Sequence, residues 1–334
     1  LDTIGAFNDD FRDSVKGSVF NREFPGFING NFGNDIINRV KYGIVGGTAH
    51  PDLIISGLSE GKVWHSSPEK TINYVTAHDN NTLYDKLYQT NVITGNLEYI
   101  DEMAMQAYSI LMTSQGVVFI HAGDEILRSK PNSNGIGFDH NSYQSPDSVN
   151  QIRWDQKALE DNIKVYNHIK GLIALRKSDD AYRQTTMEAI SQSIEFGYKA
   201  IDGLLSYIID TDKDIIVIHN ANEKSVKLEL PLGSAWDVLV NGETSGTSTI
   251  KTYMGGEGIK IQAHESLVLY ENKEGENISS FKQLTNQILG YTTIDAENPQ
   301  PSTLWLVITT SFILLAIASG TTLYVIKKKK TMKI

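Results

Sequence analysis

The feature that most constrains this chain is a change of texture near Lys177. Before it, apolar runs alternate with stretches of helical period, the layout of βα units in which each strand is covered by a following helix. Ile72 to Thr76 and Gly116 to Ile120 are runs of strand length. The second is apolar throughout after its glycine, as a parallel strand covered on both faces should be. Helices are predicted over Glu102 to Thr113, with Met103, Tyr108, Ile110, Leu111 and Met112 inward, and over 158–176, with Ile163, Tyr166, Ile169, Ile173 and Leu175 as the apolar stripe. After Lys177 the runs shorten to Leu204–Ile209, Asp214–Asn220, Ser225–Leu230, Trp236–Val240, Gly258–Ile261 and Ser266–Tyr270. Gly, Asn and Asp separate them, which predicts an antiparallel sandwich, with Asn241-Gly242 as a type I′ hairpin signal. The expectation is an α/β part over 1–178 and an all-β part over 179–271.

Residues 272–302 are polar, lack a period and end in Pro299-Gln300-Pro301, so they read as a stalk. Leu304 to Ile326 then runs without one Asp, Glu, Lys, Arg or His. At about 1.5 Å per residue it spans roughly 34 Å, enough to cross a bilayer. Lys327, Lys328, Lys329, Lys330 and Lys333 follow, so residues 303–334 are expected to form a single transmembrane helix (304–326) and a cytoplasmic tail. Trp305 sits at the expected membrane boundary. The net charge is −10 even with those lysines, and so acidic a chain argues against nucleic acid as a partner. The absence of Cys excludes a disulfide framework and thiolate metal sites, and is compatible with a surface protein of a Gram-positive bacterium. Asn298 to Thr303 does not supply a Leu-Pro-x-Thr-Gly sorting signal, so a retained anchor is expected. Leu1 opens directly into patterned sequence, which predicts further chain upstream.

Chemistry is concentrated where Ile72, Tyr74 and Val75 give way to polar residues, in Tyr74-Val-Thr-Ala-His-Asp-Asn-Asn-Thr-Leu-Tyr-Asp85. His78 and Asp79 then stand at the C-terminal end of a strand, where an imidazole and a carboxylate can grip a polar substrate. Taken alone, such a dipeptide is more often a structural hydrogen-bonded pair. Asn132 to Gly137 is Gly-rich but lacks the Lys and the spacing of a phosphate loop, and reads as a flexible loop tip. No His, Asp or Glu cluster has metal-ligand spacing.

The Tyr74–Asp85 stretch resembles the fourth conserved region of the family 13 glycoside hydrolases in its pullulanase form, Tyr-Val-x-x-His-Asp-Asn-x-Thr-Leu-Trp-Asp, with Tyr84 in place of the usual Trp. His121 to Lys130, followed by His140 to Trp154, resembles the pullulanase segment after the last barrel strand. Gly5 to Asp13 resembles the segment that follows the general-acid strand. The resemblance implies the C-terminal part of a (β/α)₈ TIM barrel, about its last three βα units, ahead of the β-sandwich. It implies an enzyme acting on branched α-glucan, at the α-1,6 bonds of pullulan, starch or glycogen dextrins, which the expected anchor would hold at the cell surface.

Hydrolysis with retention needs a carboxylate nucleophile and a protonated carboxylic acid about 5 Å apart. By the resemblance both lie upstream, so this chain alone is expected to be inactive. Asp79 is then the third acid, stabilising the transition state through hydrogen bonds that tighten as positive charge develops. His78 is implied to bond the same sugar, Asn80 to orient the loop or touch a sugar, and Asn141, Ser142 and Tyr143 to line the cleft. Tyr74 is expected in the barrel interior. Asp124 and Glu125 are implied to be structural, paired with Arg128. No cofactor is implied within these residues, and calcium only through ligands elsewhere in a longer protein. Two other classes stay open: a non-catalytic surface glycan-binding protein and a transport-associated amylase-like subunit.

Overall fold

The computed structural model describes residues 4–95, 97–197, 201–272 and 292–293. Three parallel strands, β1 (Ala6–Phe7), β2 (Thr71–Tyr74) and β3 (Val117–Phe119), lie in the order β1-β2-β3. They match the expected three βα units. Strand β3 differs from expectation in its cover: Val117 is 46% exposed, because β3 is an edge strand of this sheet. On one face of the sheet Phe7, Tyr74 and Phe119 meet edge to face, and on the other Asn73 donates to the carbonyls of Gly43 and Gln115.

Helix α1 (Asp9–Lys16) begins where the Asn8 side chain accepts the Phe11 amide at 3.1 Å, with Asp9 and Asp10 at the positive end of the helix dipole. α2 (Asn34–Ile44) approaches α1 so closely that a Cβ on Gly43 would lie 1.9 Å from the Phe11 ring, so that position requires glycine. α3 (Leu83–Thr94) is capped by Thr82. α4 (Ile100–Thr113) is buried at every position from Met103 onward, since it packs against both the α/β part and the antiparallel sheet. Its polar side chains are satisfied across that seam: Gln106 donates to the carbonyls of Asn220 (2.9 Å) and Glu265 (3.2 Å), and Thr113 accepts from Tyr207 at 2.7 Å.

After α5 (Asp147–Asn150), α6 (Glu160–Ser178) packs on α4 through Val165, Ile169, Leu172 and Leu175. The expected stripe was rotated: Ile173 is 37% exposed, while Ile163 and Tyr166 are half-buried. Two polar residues explain the error. His168 is buried with Nε2 3.1 Å from Ser109 Oγ, and Arg176 is buried donating to the carbonyls of Met112 (3.0 Å) and Gly116 (2.7 Å). Arg176 thus satisfies carbonyls that the end of α4 leaves free, a role no hydropathy period reveals.

The remainder is α7 (Met187–Ser193) and strands β4 (Ile194–Phe196), β5 (Leu204–Ile209), β6 (Ile215–Asn220), β7 (Val226–Glu229), β8 (Ala235–Val240), β9 (Lys251–Met254), β10 (Gly258–Ile261), β11 (Ser266–Asn272) and β12 (Thr292–Thr293). They form a six-stranded sheet, β4-β5-β6-β11-β8-β9, and a three-stranded one, β10-β7-β12. Within β5 and β6, Leu204, Ile208, Ile216 and Ile218 face the second sheet around Trp236. Leu205, Tyr207, Ile209, Ile215 and Val217 join the core of the α/β part. Both faces are covered, so these strands read as continuous apolar runs. The described residues accordingly fall in one compact unit, and the α/β and all-β parts share a core.

Two local expectations are corrected. Asn241 and Gly242 are not among the positive-φ residues, so no type I′ turn forms; the Asn241 carboxamide accepts the amides of Glu243 (3.0 Å) and Thr244 (2.7 Å) instead. Thr292 and Thr293 pair with β7, placing part of the expected 272–302 stalk in a sheet. The apolar run 304–326 lies outside the described residues, and among those no helix is long and apolar enough to cross a membrane.

Candidate active site

Strand β2 delivers the chain into a polar loop. Val75 and Thr76 are buried, after which the side chains of His78 and Asp79 are 85% and 73% exposed, with His78 Nε2 3.5 Å from Asp79 Oδ1. Asn80 takes a left-handed φ of 64°, which Asn tolerates better than most residues, and the chain turns to Asn81 and the Thr82 cap of α3. The adjacent imidazole and carboxylate therefore project from the C-terminal end of a parallel strand.

The carboxylate after β3 has the opposite environment. Asp124 is fully buried and accepts from Thr76 Oγ1 and, at 2.8 Å, from Tyr108 Oη; His121 Nδ1 lies 3.6 Å away. Burial alone would raise its pKa, yet His121 and the two hydroxyls hold it below the ordinary carboxylate value. Glu125 accepts the Gly123 amide at 2.8 Å. Both are structural, as the resemblance implied, but Arg128 is not their partner. It donates to the carbonyls of Ala122 (3.1 Å) and Asn150, and lies 3.3 Å from His121 Nε2.

Of the second group of candidates, Asn141 and Tyr143 are exposed, Tyr143 at 74%, whereas Ser142 is buried and its carbonyl accepts from Asn150 at 2.7 Å. Ser142 therefore has its carbonyl committed to the turn. The Asn132–Gly137 segment is a hydrogen-bonded turn closed by a Pro131–Phe138 bridge, with Asn132 donating to the Ile136 carbonyl at 2.6 Å, and so departs from the expected flexible tip.

One connecting residue was missed from sequence. Lys130 is 1% exposed; its ammonium donates to the carbonyls of His78 (3.1 Å) and Asn80, and its amide donates to Asp85 Oδ2 at 2.8 Å. Its own carbonyl accepts the Asp139 amide at 2.7 Å, and Asp139 in turn accepts the Asn141 amide. The two groups of candidates are thereby joined through one lysine. A second missed network closes the end of β1: Tyr74 Oη donates to Asp9 (2.6 Å), and Arg12 donates to Tyr74 (2.6 Å), Asp9 (3.2 Å) and Asp13 (2.6 Å). Tyr74 is buried as expected, and its hydroxyl is committed to this network. A cleft of about 620 Å³ lies beside it, lined in part by Phe7, Asp9, Arg12, Trp64 and His65.

The arrangement can offer a carboxylate and an imidazole to a polyol and stabilise positive charge. Among the described residues no group of three His, Asp or Glu side chains is placed to hold a metal ion.

Residues 207–244 match a family model described as the pullulanase all-beta domain. A pullulanase of Bacillus subtilis is 36% identical over 235 residues, covering 68% of this chain and 30% of that protein. This chain is pullulanase-like. Pullulanase A of Streptococcus pneumoniae is 29% identical over 84% of the chain and 25% of its own length, so the chain spans about a quarter to a third of these relatives. The fold agrees. A solved pullulanase from Bacillus acidopullulyticus superposes with a TM-score of 0.68 at 33% identity, over 80% of this chain and 30% of that one. The catalytic module of a glycogen-degrading pneumococcal virulence factor gives 0.68 at 25% identity, over 82% and 44%. Pullulanase-like sequence and fold thus extend through both the α/β and the antiparallel parts.

Proposed function

We propose that this chain is the C-terminal portion of an α-glucan debranching hydrolase, contributing Asp79 as the transition-state-stabilising acid and His78, Asn80, Asn141 and Tyr143 as sugar contacts. The observation that carries the reading is the exposed His78–Asp79 pair at the end of a parallel strand, in a chain whose sequence and fold are pullulanase-like. A solved pullulanase of similar fold holds maltohexaose and α-cyclodextrin, which supports an α-glucan as the ligand class here. Retaining hydrolysis needs two carboxyl groups flanking one bond. By the family resemblance the nucleophile and general acid belong to preceding sequence, so the 334-residue chain by itself should not hydrolyse pullulan. Reducing-sugar release from pullulan by the purified chain tests this assignment; steady turnover would overturn it.

The same reading places the protein at a cell surface, held by residues 304–326 with the lysine-rich end inside. Membrane fractionation of the whole chain against one ending at residue 302 tests the anchor, which predicts loss of membrane association on truncation.

A further inference from the structure

The loop that carries Asp79 is exposed and turns through a left-handed Asn80, yet it is held in one course by a single buried cation. Lys130 donates to the carbonyls of His78 and Asn80, fixing the peptide unit that enters Asp79 and the one that leaves Asn80, so the Asp79–Asn80 pair is held from both ends. The lysine is itself fixed. Its amide donates to Asp85, whose own amide is bonded to the Thr82 cap, so the start of α3 and the Lys130 backbone form one rigid block. Its carbonyl holds the Asp139 amide, and Asp139 accepts from the Asn141 amide (2.9 Å) and the Ser145 hydroxyl (2.5 Å). A charged donor bonded to carbonyls in a largely buried setting makes a stronger tie than a neutral one.

We propose that Lys130 is the positioning residue of the site, setting the Asp79 loop and the Asn141–Tyr143 turn in register. The proposal rests on the function inferred above. Lys130 does not touch substrate; it acts through the backbone on either side of Asp79. Burial lowers the pKa of its ammonium, Asp85 opposes that, Arg128 adds to the lowering, and Asp139 and Asp79 make smaller favourable contributions.

Two measurements separate this proposal from the functional reading. In the purified 334-residue chain, Lys130→Met should speed amide exchange in residues 77–82 by about tenfold or more, while residues 139–143, tied to the Lys130 backbone carbonyl, and β5 and β6 stay unchanged. Unaltered exchange in residues 77–82 overturns the positioning role whatever the activity. In a longer active debranching enzyme containing this chain, Lys130→Met should lower kcat on pullulan with KM within about twofold, and Lys130→Met with Asp79→Asn should be no worse than Asp79→Asn alone. Losses that multiply, or a rise in KM alone, would show that Lys130 acts elsewhere. If Asp79→Asn leaves turnover intact the functional reading fails, while the exchange result still decides what Lys130 holds. Should Lys130→Met not fold, Lys130→Gln, which keeps one donor, replaces it under the same criteria.

Discussion

Asp79 and Asp124 follow the ends of adjacent parallel strands, β2 and β3, and their fates diverge. Asp124 is fully buried, with two hydroxyl donors and an imidazole nearby; Asp79 leaves its strand five residues later, with its side chain 73% exposed beside an equally open imidazole. The difference arises from what α4 and the short turn after β3 bring in. Tyr108 reaches across from α4, and the turn folds back so that His121 and Asp124 share one side. Among the described residues nothing comparable closes over Asp79, whose loop Lys130 holds through the carbonyls of His78 and Asn80. A buried carboxylate that accepts from the protein's own hydroxyls holds the fold, and one left open can serve a ligand.

Three substitutions on the 334-residue chain sharpen the contrast, in descending order of effect. Asp124→Ala should cost about 3 kcal/mol or more, since it strands buried Thr76, Tyr108 and His121 without their acceptor. For a domain of this size that is roughly 6–12 °C in Tm, readable by calorimetry. Thr76→Val removes one of the two hydroxyl donors and should cost about 1–2 kcal/mol. Asp79→Ala should change stability by no more than about 0.5 kcal/mol, as expected for an exposed side chain away from special features. A loss at Asp79 equal to that at Asp124 would erase the distinction.

The buried seam also makes a prediction in pH. Burial lowers His168 to about 4, His219 to about 3 and His264 to about 4, each from an ordinary value near 6.5. His168 faces Ser109 on α4, His219 lies beside Ser266 and Tyr207, and His264 packs on Tyr99, so all three report on packing around α4 and the six-stranded sheet. Between about pH 6.5 and 4 the unfolded chain binds protons that the folded chain refuses, so stability is full above that window and falls as pH drops through it. Denaturant titrations at stepped pH should show this decline. His219→Asn, which keeps a polar group and loses the titration, should make it shallower.

Much of this was legible in the sequence, and the failures have definite causes. Strands β5 and β10 were read with their observed limits because turn residues bound compact apolar runs. The α6 stripe was misread because two of its inward positions are His168 and Arg176, polar groups whose burial depends on partners remote in sequence. β4 and β9 were missed, the first a short run directly after a helix and the second largely exposed. Of the residues proposed for the site, His78, Asp79 and Tyr143 are exposed, whereas Ser142 is buried in its own turn. Lys130 was invisible as a site residue because its partners are backbone carbonyls, which any sequence supplies; the available signal was a lysine within an otherwise well-matched block, immediately before Pro131.

The most direct measurement is steady-state turnover of pullulan by a longer active enzyme containing this chain, with and without Asp79→Asn, each checked by circular dichroism for an unchanged fold. Removing the charge while keeping the shape should leave KM near its original value and lower kcat by about a hundredfold, close to 3 kcal/mol of transition-state stabilisation. A folded Asp79→Asn enzyme with near-normal kcat would contradict the assignment of Asp79 as the open acid that serves the reaction.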